Sequence, residues 1–85
     1  MLKPPTPGQL IKYKLSGFDN LPFIDEGIGF IEFVTFDEQR GYRVKVHIFN
    51  KVRHRRKGLV QIAIGPTQEE YSLGDFYNFF KIMER

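Results

Sequence analysis

The sequence contains no cysteine, no tryptophan and no stretch of 18 consecutive apolar residues. Without cysteine, neither a disulfide nor a thiolate metal site is available to brace the fold. Without a long apolar stretch we expect no membrane-spanning segment, and the first residues lack the apolar core of a signal peptide. These absences exclude the disulfide-rich secreted class, and we expect a cytoplasmic protein with no cofactor.

The chain has 85 residues, which is enough for one small domain. A domain of this size buries only about 60% of the surface that its unfolded chain exposes, so its core is thin. Nine phenylalanines and four tyrosines compensate, because each buried ring removes roughly 150–250 Å² from water. The first eight residues contain three prolines and one glycine. We therefore interpret residues 1–8 as an extended tail and residues 9–85 as a single β-rich domain.

Alternating and β-branched segments predict a mainly β protein. Residues 9–15 alternate with a period of two, which is typical of a strand. Residues 28–36 and 42–50 are rich in β-branched and aromatic side chains. The polar connection between them ends in Gly41 and predicts a tight turn at residues 37–41 with Gly41 in the left-handed conformation.

The register of this hairpin decides which side chains form the core. The predicted turn places Phe30 on the inward face and Ile31 on the outward face, and Glu32 then falls on the apolar side. A slip of one residue would move Glu32 outward. Gly27 and Gly29 predict a bulge or a close approach of two backbones. The expected core residues are Val44, Val46, Ile48 and Ile62.

The remaining segments predict a loop, short strands and an ambiguous C-terminus. Residues 16–27 contain turn-forming residues and predict a long loop. Residues 59–64 and 69–73 predict two short strands.

Residues 72–85 have two interpretations. Ser72 followed by Asp75 resembles a capping box, and apolar residues at helical spacing continue beyond it, which favours a helix. The alternative is one helical turn at residues 74–79 followed by a closing strand at residues 80–84.

The order of these elements is strand, long loop, long hairpin, strand, short helical turn and last strand. Over residues 9–84 this order resembles the SH3-like small barrels, with residues 27–34 leading into the hairpin as the local cue. The resemblance implies an antiparallel barrel or strongly bent sheet with a short C-terminal helical segment. Members that bind proline-rich peptides use a tryptophan at the hairpin, and its absence here argues against that activity.

A basic segment gives the most concentrated functional signal. Its five permanent charges are Lys51, Arg53, Arg55, Arg56 and Lys57. We expect residues 51–58 to form a loop, with no acid close enough in sequence to neutralise it. Arginine and lysine side chains suit phosphate, so the segment favours contact with nucleic acid. A solvated loop tip that keeps a sheet edge soluble is the structural alternative.

The hairpin carries a second, linked signal, in which positive charge alternates with aromatic rings. Its members are Arg43, Lys45, His47, Phe33 and Phe49, extended on the neighbouring strand by Lys12 and Lys14. Proteins that bind single strands use charge along the backbone and rings stacked on bases. The structural alternative is a half-exposed strand whose long side chains cover apolar surface.

Catalytic patterns are weak. His47 and His54 lack the spacing of a metal site, and we interpret the acids Asp19, Asp25 and Glu26 as loop residues rather than an acid–base pair. We therefore expect a non-enzymatic module that binds nucleic acid, DNA or RNA, with low sequence specificity. The alternative is a protein-interaction module, an adaptor or inhibitor, that binds the acidic surface of a larger protein.

Overall fold

The computed structural model describes residues 2–14, 23–55 and 61–83, which form an antiparallel sheet of six strands and one short helix. The prediction of a mainly β protein is confirmed. The strands are β1 (Leu10–Tyr13), β2 (Phe23–Asp37), β3 (Gly41–Arg55), β4 (Gln61–Ile64), β5 (Thr67–Ser72) and β6 (Phe80–Ile82). The helix is α1 (Leu73–Phe79).

The long β2–β3 hairpin organises the sheet. The strand order is β4-β3-β2-β1-β6, and β5 also pairs with β3. β5 pairs with residues 43–48 of β3 and β4 with residues 51–54, so both lie along the edge of β3 opposite β2. Among the described residues no pairing joins β4 to β6, so the sheet is open and is not closed into a barrel.

The turn between β2 and β3 has the predicted form. The side chain of Asp37 accepts hydrogen bonds from the backbone N–H groups of Gln39 at 2.8 Å and Arg40 at 3.1 Å. These two bonds hold the pKa of the exposed Asp37 carboxyl below its usual value. Gly41 has φ of 77°, the left-handed conformation that glycine adopts without steric cost.

A bulge in β2 overturns part of the predicted register. Residues 34–36 pair with β3 as expected, but the register shifts between Ile31 and Phe33 and leaves Glu32 as an extra residue. Beyond the bulge the alternation is reversed. The expected inward position of Phe30 was therefore wrong: Ile31 is fully buried and Phe30 only partly so.

A second bulge lies in β3, where Phe49 is the extra residue because the register with β2 shifts next to Gly29. A Cβ atom at Gly29 would overlap the carbonyl oxygen of His47, and one at Gly27 would overlap that of Asn50. The prediction of a bulge and a close backbone approach at these glycines is confirmed.

The core lies on one face of the sheet and is completed by two phenylalanines from the C-terminal segment. Its members are Ile11, Tyr13, Ile31, Val44, Val46, Ile48, Phe76 and Phe80. Three of the four predicted core residues are therefore correct. Ile62 was wrong, since its side chain is 50% exposed. It lies on the edge strand β4, beside residues 51–54 and beyond the apolar core residues of β3.

The C-terminal segment follows the second of its two interpretations. The Ser72 hydroxyl accepts a hydrogen bond from the backbone N–H of Asp75 at 3.2 Å and caps α1. The helix ends at Phe79, and the chain continues as β6, which pairs with β1.

The N-terminal segment is packed against the sheet. Pro5 is buried, the backbone N–H of Gly8 donates to the carbonyl of Ile31 at 2.7 Å, and the Tyr77 hydroxyl donates to the Lys3 carbonyl at 2.7 Å. These contacts fix residues 3–8 on the body of the domain.

We expect Ile48→Ala to lower the free energy of unfolding by about 2–5 kcal/mol, since it opens a cavity among fully buried side chains. Ile62→Ala is the matched control and should cost less than about 1 kcal/mol, because its side chain already contacts water. Urea denaturation at pH 7 measures both. Equal losses for the two variants would mean that the assignment of the inner face is wrong.

Gly29→Ala should destabilise the domain by roughly 1–3 kcal/mol, because the added methyl group must push β2 away from the backbone at His47. Gly65→Ala, at a site with open space around the added carbon, is the control and should be neutral within about 0.5 kcal/mol. Thermal unfolding compares them, and an unaffected Gly29→Ala variant would contradict the close approach.

Candidate functional site

The basic segment is largely strand rather than loop. β3 continues to Arg55, so the expected loop at residues 51–58 does not exist over residues 51–55. β2 likewise begins at Phe23, which places Asp25 and Glu26 on a strand and not in the predicted loop. The two strands pair through this region, so acids and bases that are far apart in sequence face each other.

Lys51 faces the interior. The bulge at Phe49 shifts the alternation of β3, so that Lys51 is buried as Val46 and Ile48 are. Its Nζ lies 2.6 Å from an oxygen of Glu69 and 3.5 Å from one of Asp25. A buried ammonium group requires such partners, and Lys51 is therefore unavailable to a ligand at the surface.

Glu69 accepts hydrogen bonds from four side chains. Tyr13 and Tyr71 donate to Oε1 at 2.5 Å each, and Lys51 at 2.6 Å and Thr67 at 3.1 Å donate to Oε2. Burial alone would raise the pKa of Glu69, but the hydrogen bonds from Lys51 and the two tyrosines outweigh it and hold the pKa below its usual value. We call these five residues the Glu69 cluster.

The tyrosines of the Glu69 cluster are held in their neutral form. Burial, followed by the hydrogen bond to Glu69, raises the pKa of both Tyr13 and Tyr71 well above the usual value. A cavity of about 260 Å³ adjoins the cluster. Both oxygens of Glu69 are already engaged by the other members, so we assign the cluster to stability rather than to catalysis.

The next residues of the basic segment are also neutralised by β2. Arg53 donates to both oxygens of Asp25, at 2.8 and 3.2 Å, and its guanidinium lies 3.9 Å from the ring centre of Phe23. His54 lies 2.9 Å from a carboxylate oxygen of Glu26. The expectation that no acid neutralises this segment was therefore wrong.

The last three cations of the basic segment are Arg55, Arg56 and Lys57. Arg55 is exposed at the end of β3, while Arg56 and Lys57 lie outside the described residues.

The predicted hairpin face is less basic than the sequence suggests. Arg43 lies 3.8 Å from Glu70 of β5, and its Nε is buried with no hydrogen-bond partner in the described parts of the chain. His47 lies 3.4 Å from the bulged Glu32. Lys45 places its ammonium group 5.2 Å from the ring centre of Phe33. Acids that β5 and the bulge of β2 bring alongside therefore offset much of this charge.

A second cavity, of about 870 Å³, lies across β6, β1, β2 and β3. It combines lysines with apolar side chains. We name it the lysine groove, and the side chains that define it are Lys12, Lys14, Lys81, Ile28, Phe49 and Val52. Glu26, already engaged by His54, is the one acid among its described lining residues.

Two lysines of the groove are direct neighbours on adjacent strands. Lys12 of β1 and Lys81 of β6 are directly paired in the antiparallel register, and both are exposed. No carboxylate of the described residues forms an ion pair with either of them. Like charges directly opposite each other destabilise a sheet, and a bound anion would offset that repulsion. Lys14 instead donates to the carbonyl of Tyr77 at 2.6 Å.

An aromatic ring forms the other wall of the groove. Phe49 is 43% exposed, and its ring centre lies 5.5 Å from that of Phe30 and 5.6 Å from that of His47. Phe30 and His47 are themselves 5.3 Å apart. The three rings support one another, and Phe49 offers the most exposed surface.

Sequence reasoning found Lys12, Lys14 and Phe49 but missed Lys81. The position of Lys81 beside Lys12 depends on the pairing of β6 with β1, and no local pattern near residue 81 indicates that partner. The only available signal for Lys81 was the predicted closing strand at residues 80–84.

Other site types have no support among the described residues. They contain no group of three or more histidine or acidic side chains placed to hold a metal ion. The helix among the described residues has seven residues and is too short to cross a membrane. Comparisons with family models, curated proteins and solved structures found no match to this chain.

The Glu69 cluster predicts how stability depends on pH. The pKa of Glu69 is lowered on folding, so its stabilisation is complete above about pH 4.5 and is lost as the pH falls further. The pKa values of Tyr13 and Tyr71 are raised, so their contribution is complete below about pH 10 and is lost as the pH rises. Denaturation from pH 3 to 11 should therefore show losses at both ends.

Tyr13→Phe tests the alkaline side of this prediction. We expect it to cost roughly 1–2 kcal/mol at pH 7, since Glu69 loses one donor, and to reduce the alkaline loss. Tyr42→Phe is the control, because that tyrosine is exposed and its hydroxyl makes no hydrogen bond within the described residues. An alkaline profile of Tyr13→Phe that matches the parent would contradict the assignment.

Proposed function

We propose that the protein is a non-enzymatic module that binds nucleic acid with low sequence specificity through the lysine groove. One observation carries the proposal: Lys12 and Lys81 lie side by side without an acid partner among the described residues, in a groove of about 870 Å³. A polyanion that occupies the groove relieves the repulsion between the two ammonium groups. Phosphates supply that charge at regular intervals along a chain.

The low specificity follows from the form of the groove. Lysine acts as a flexible point charge and does not fix the orientation of a base. Contacts to phosphate position a nucleic acid but carry no sequence information directly. Helix α1 has seven residues and its aromatic side chains pack against the core, so it is not suited to reading a DNA groove.

The position of the interface differs from the one that the basic segment suggested. Lys51 and Arg53 are held by Glu69 and Asp25, and we assign them to the fold. Arg55, Arg56 and Lys57 remain part of the proposal as a secondary contact, because Arg55 is exposed. Lys12, Lys81 and Phe49 form its centre.

The alternative is a protein-interaction module that binds an acidic surface. The same lysine pair supports it, and Phe36 at the hairpin, 65% exposed beside Tyr42, adds an apolar contact. Nucleic acid is favoured because the groove combines positive charge with an aromatic ring, the combination used by proteins that bind single-stranded nucleic acid.

For the fold we propose an SH3-like relationship. The order of strand, connection, long hairpin, short strands, helical turn and last strand supports it. The open edge between β4 and β6 departs from a closed barrel.

Reversal of both groove lysines, Lys12→Glu with Lys81→Glu, should weaken binding to any oligonucleotide by roughly tenfold or more, because two phosphate contacts are lost. The slope of log affinity against log salt should become shallower by about 1.4, or 0.7 for each contact to a single strand. Fluorescence anisotropy with labelled 12-mers at 50–200 mM NaCl measures both quantities.

A charge-matched control separates the groove from net charge. Lys3→Glu with Arg40→Glu changes the net charge equally, from +3 to −1 because each substitution removes two units, at exposed positions that do not line the groove. It should retain more affinity than the groove variant. Equal losses, or no binding by the parent protein at 50 mM NaCl, would rule out the groove as a nucleic-acid site.

A further inference from the structure

Charge, apolar surface and an aromatic ring follow one another along a single row of the sheet. Lys81 pairs with Lys12, Lys12 pairs with Ile28, and Ile28 pairs with Asn50, which adjoins Phe49. Neighbouring strands lie about 4.8 Å apart, so the row from β6 to β3 covers roughly 14 Å. A ligand lying across the row therefore meets two ammonium groups at one end and a ring at the other.

We infer that the lysine groove takes a single strand and not a duplex, with one unpaired base stacked on Phe49 and the adjoining phosphates bound by Lys12 and Lys81. This inference rests on the proposed function and names the ligand class of the same site. In a duplex both faces of an interior base are covered by its neighbours. In a single strand a base can turn out and present its face to an aromatic side chain.

The position of Phe49 suits the stacking of a base better than it suits packing in the core. It is the extra residue of the β3 bulge, so it has no partner across the ladder from β2. Phe30 and His47 contact it at 5.5 and 5.6 Å and support the ring from the side. Phe49 is 43% exposed and lines the groove.

Ile28, the apolar side chain between the lysines and Phe49, lies where the sugar of a nucleotide would join phosphate to base. Ile28 is 48% exposed and lies in the row between Lys12 and the bulge. The uncharged carbon surface of a sugar can contact it without leaving a buried charge. Lys14 is committed to the carbonyl of Tyr77, so the phosphate contacts belong to the other two lysines.

Three labelled ligands of equal length test the inference with the intact chain. They are a thymidine 12-mer, a 12-base-pair duplex, and a 12-mer of abasic sites that keeps the phosphates and lacks the bases. The variant is Phe49→Leu, which removes the ring and keeps an apolar side chain. Phe36→Leu, at an exposed aromatic residue outside the groove, is the matched control.

The parent protein should bind the thymidine strand more tightly than either the duplex or the abasic strand. Phe49→Leu should weaken binding of the thymidine strand by roughly 5- to 100-fold, the loss expected for one stacked base. It should leave binding of the abasic strand within about twofold of the parent. Phe36→Leu should behave as the parent does with all three ligands, and circular dichroism confirms that each variant is folded.

The outcomes separate this inference from the proposed function. If Phe49→Leu binds the thymidine strand as tightly as the parent while the double lysine reversal does not, stacking is wrong and the nucleic-acid function stands. A parent protein that prefers the duplex overturns the single-strand assignment alone. If the parent binds none of the three ligands, both proposals fail, and an acidic protein partner becomes the better explanation of the groove.

Discussion

Gly27 and Gly29 allow the backbones of β2 and β3 to approach more closely than any residue with a Cβ atom permits. At this point β3 takes up one extra residue, Phe49, and the alternation of its side chains shifts. Before the shift Val44, Val46 and Ile48 face the core; after it Lys51 does. The same backbone contact therefore buries a lysine and exposes an aromatic ring.

A buried lysine imposes requirements on the rest of the domain. The Lys51 ammonium contacts the carboxylates of Asp25 and Glu69, and two tyrosine hydroxyls donate to Glu69. These groups come from three other strands. This arrangement joins β1, β2, β3 and β5 through polar contacts beside a thin apolar core. Among the described residues it also separates the cations that stabilise the fold from those, such as Lys12 and Lys81, that are exposed and form no ion pair there.

Local patterns in the sequence predicted the parts of this structure that local forces determine. The turn at Asp37, the left-handed Gly41 and the cap at Ser72 depend on residues within three positions of each other, and all are present. The expected loop was wrong over residues 51–55, and so was the outward position of Ile31. Both features depend on the pairing of strands that are distant in sequence. The alternation of apolar and polar residues does not reveal that pairing.

The candidate site was predicted in part for the same reason. Phe49 and Lys12 lie on recognisable strands, but Lys51 finds Glu69 eighteen residues later, and Lys81 comes beside Lys12 only through β6. A count of basic residues along the chain therefore identified a cluster in which the fold pairs Lys51 and Arg53 with acids. Lys12 and Lys81, which the fold brings together, are almost seventy positions apart in the sequence.

The opposition of Lys12 and Lys81 also couples the ionic strength of the solution to the last strand. β6 is held to β1 through three residue pairs, and one of these pairs is the two lysines. Small ions that screen the ammonium groups tighten the attachment of β6, while the same ions compete with any phosphate chain for the groove. On the proposed function, salt would therefore act in opposite directions on the C-terminal strand and on the complex, and a bound polyanion would protect the β6 backbone amides from hydrogen exchange most strongly where salt is low.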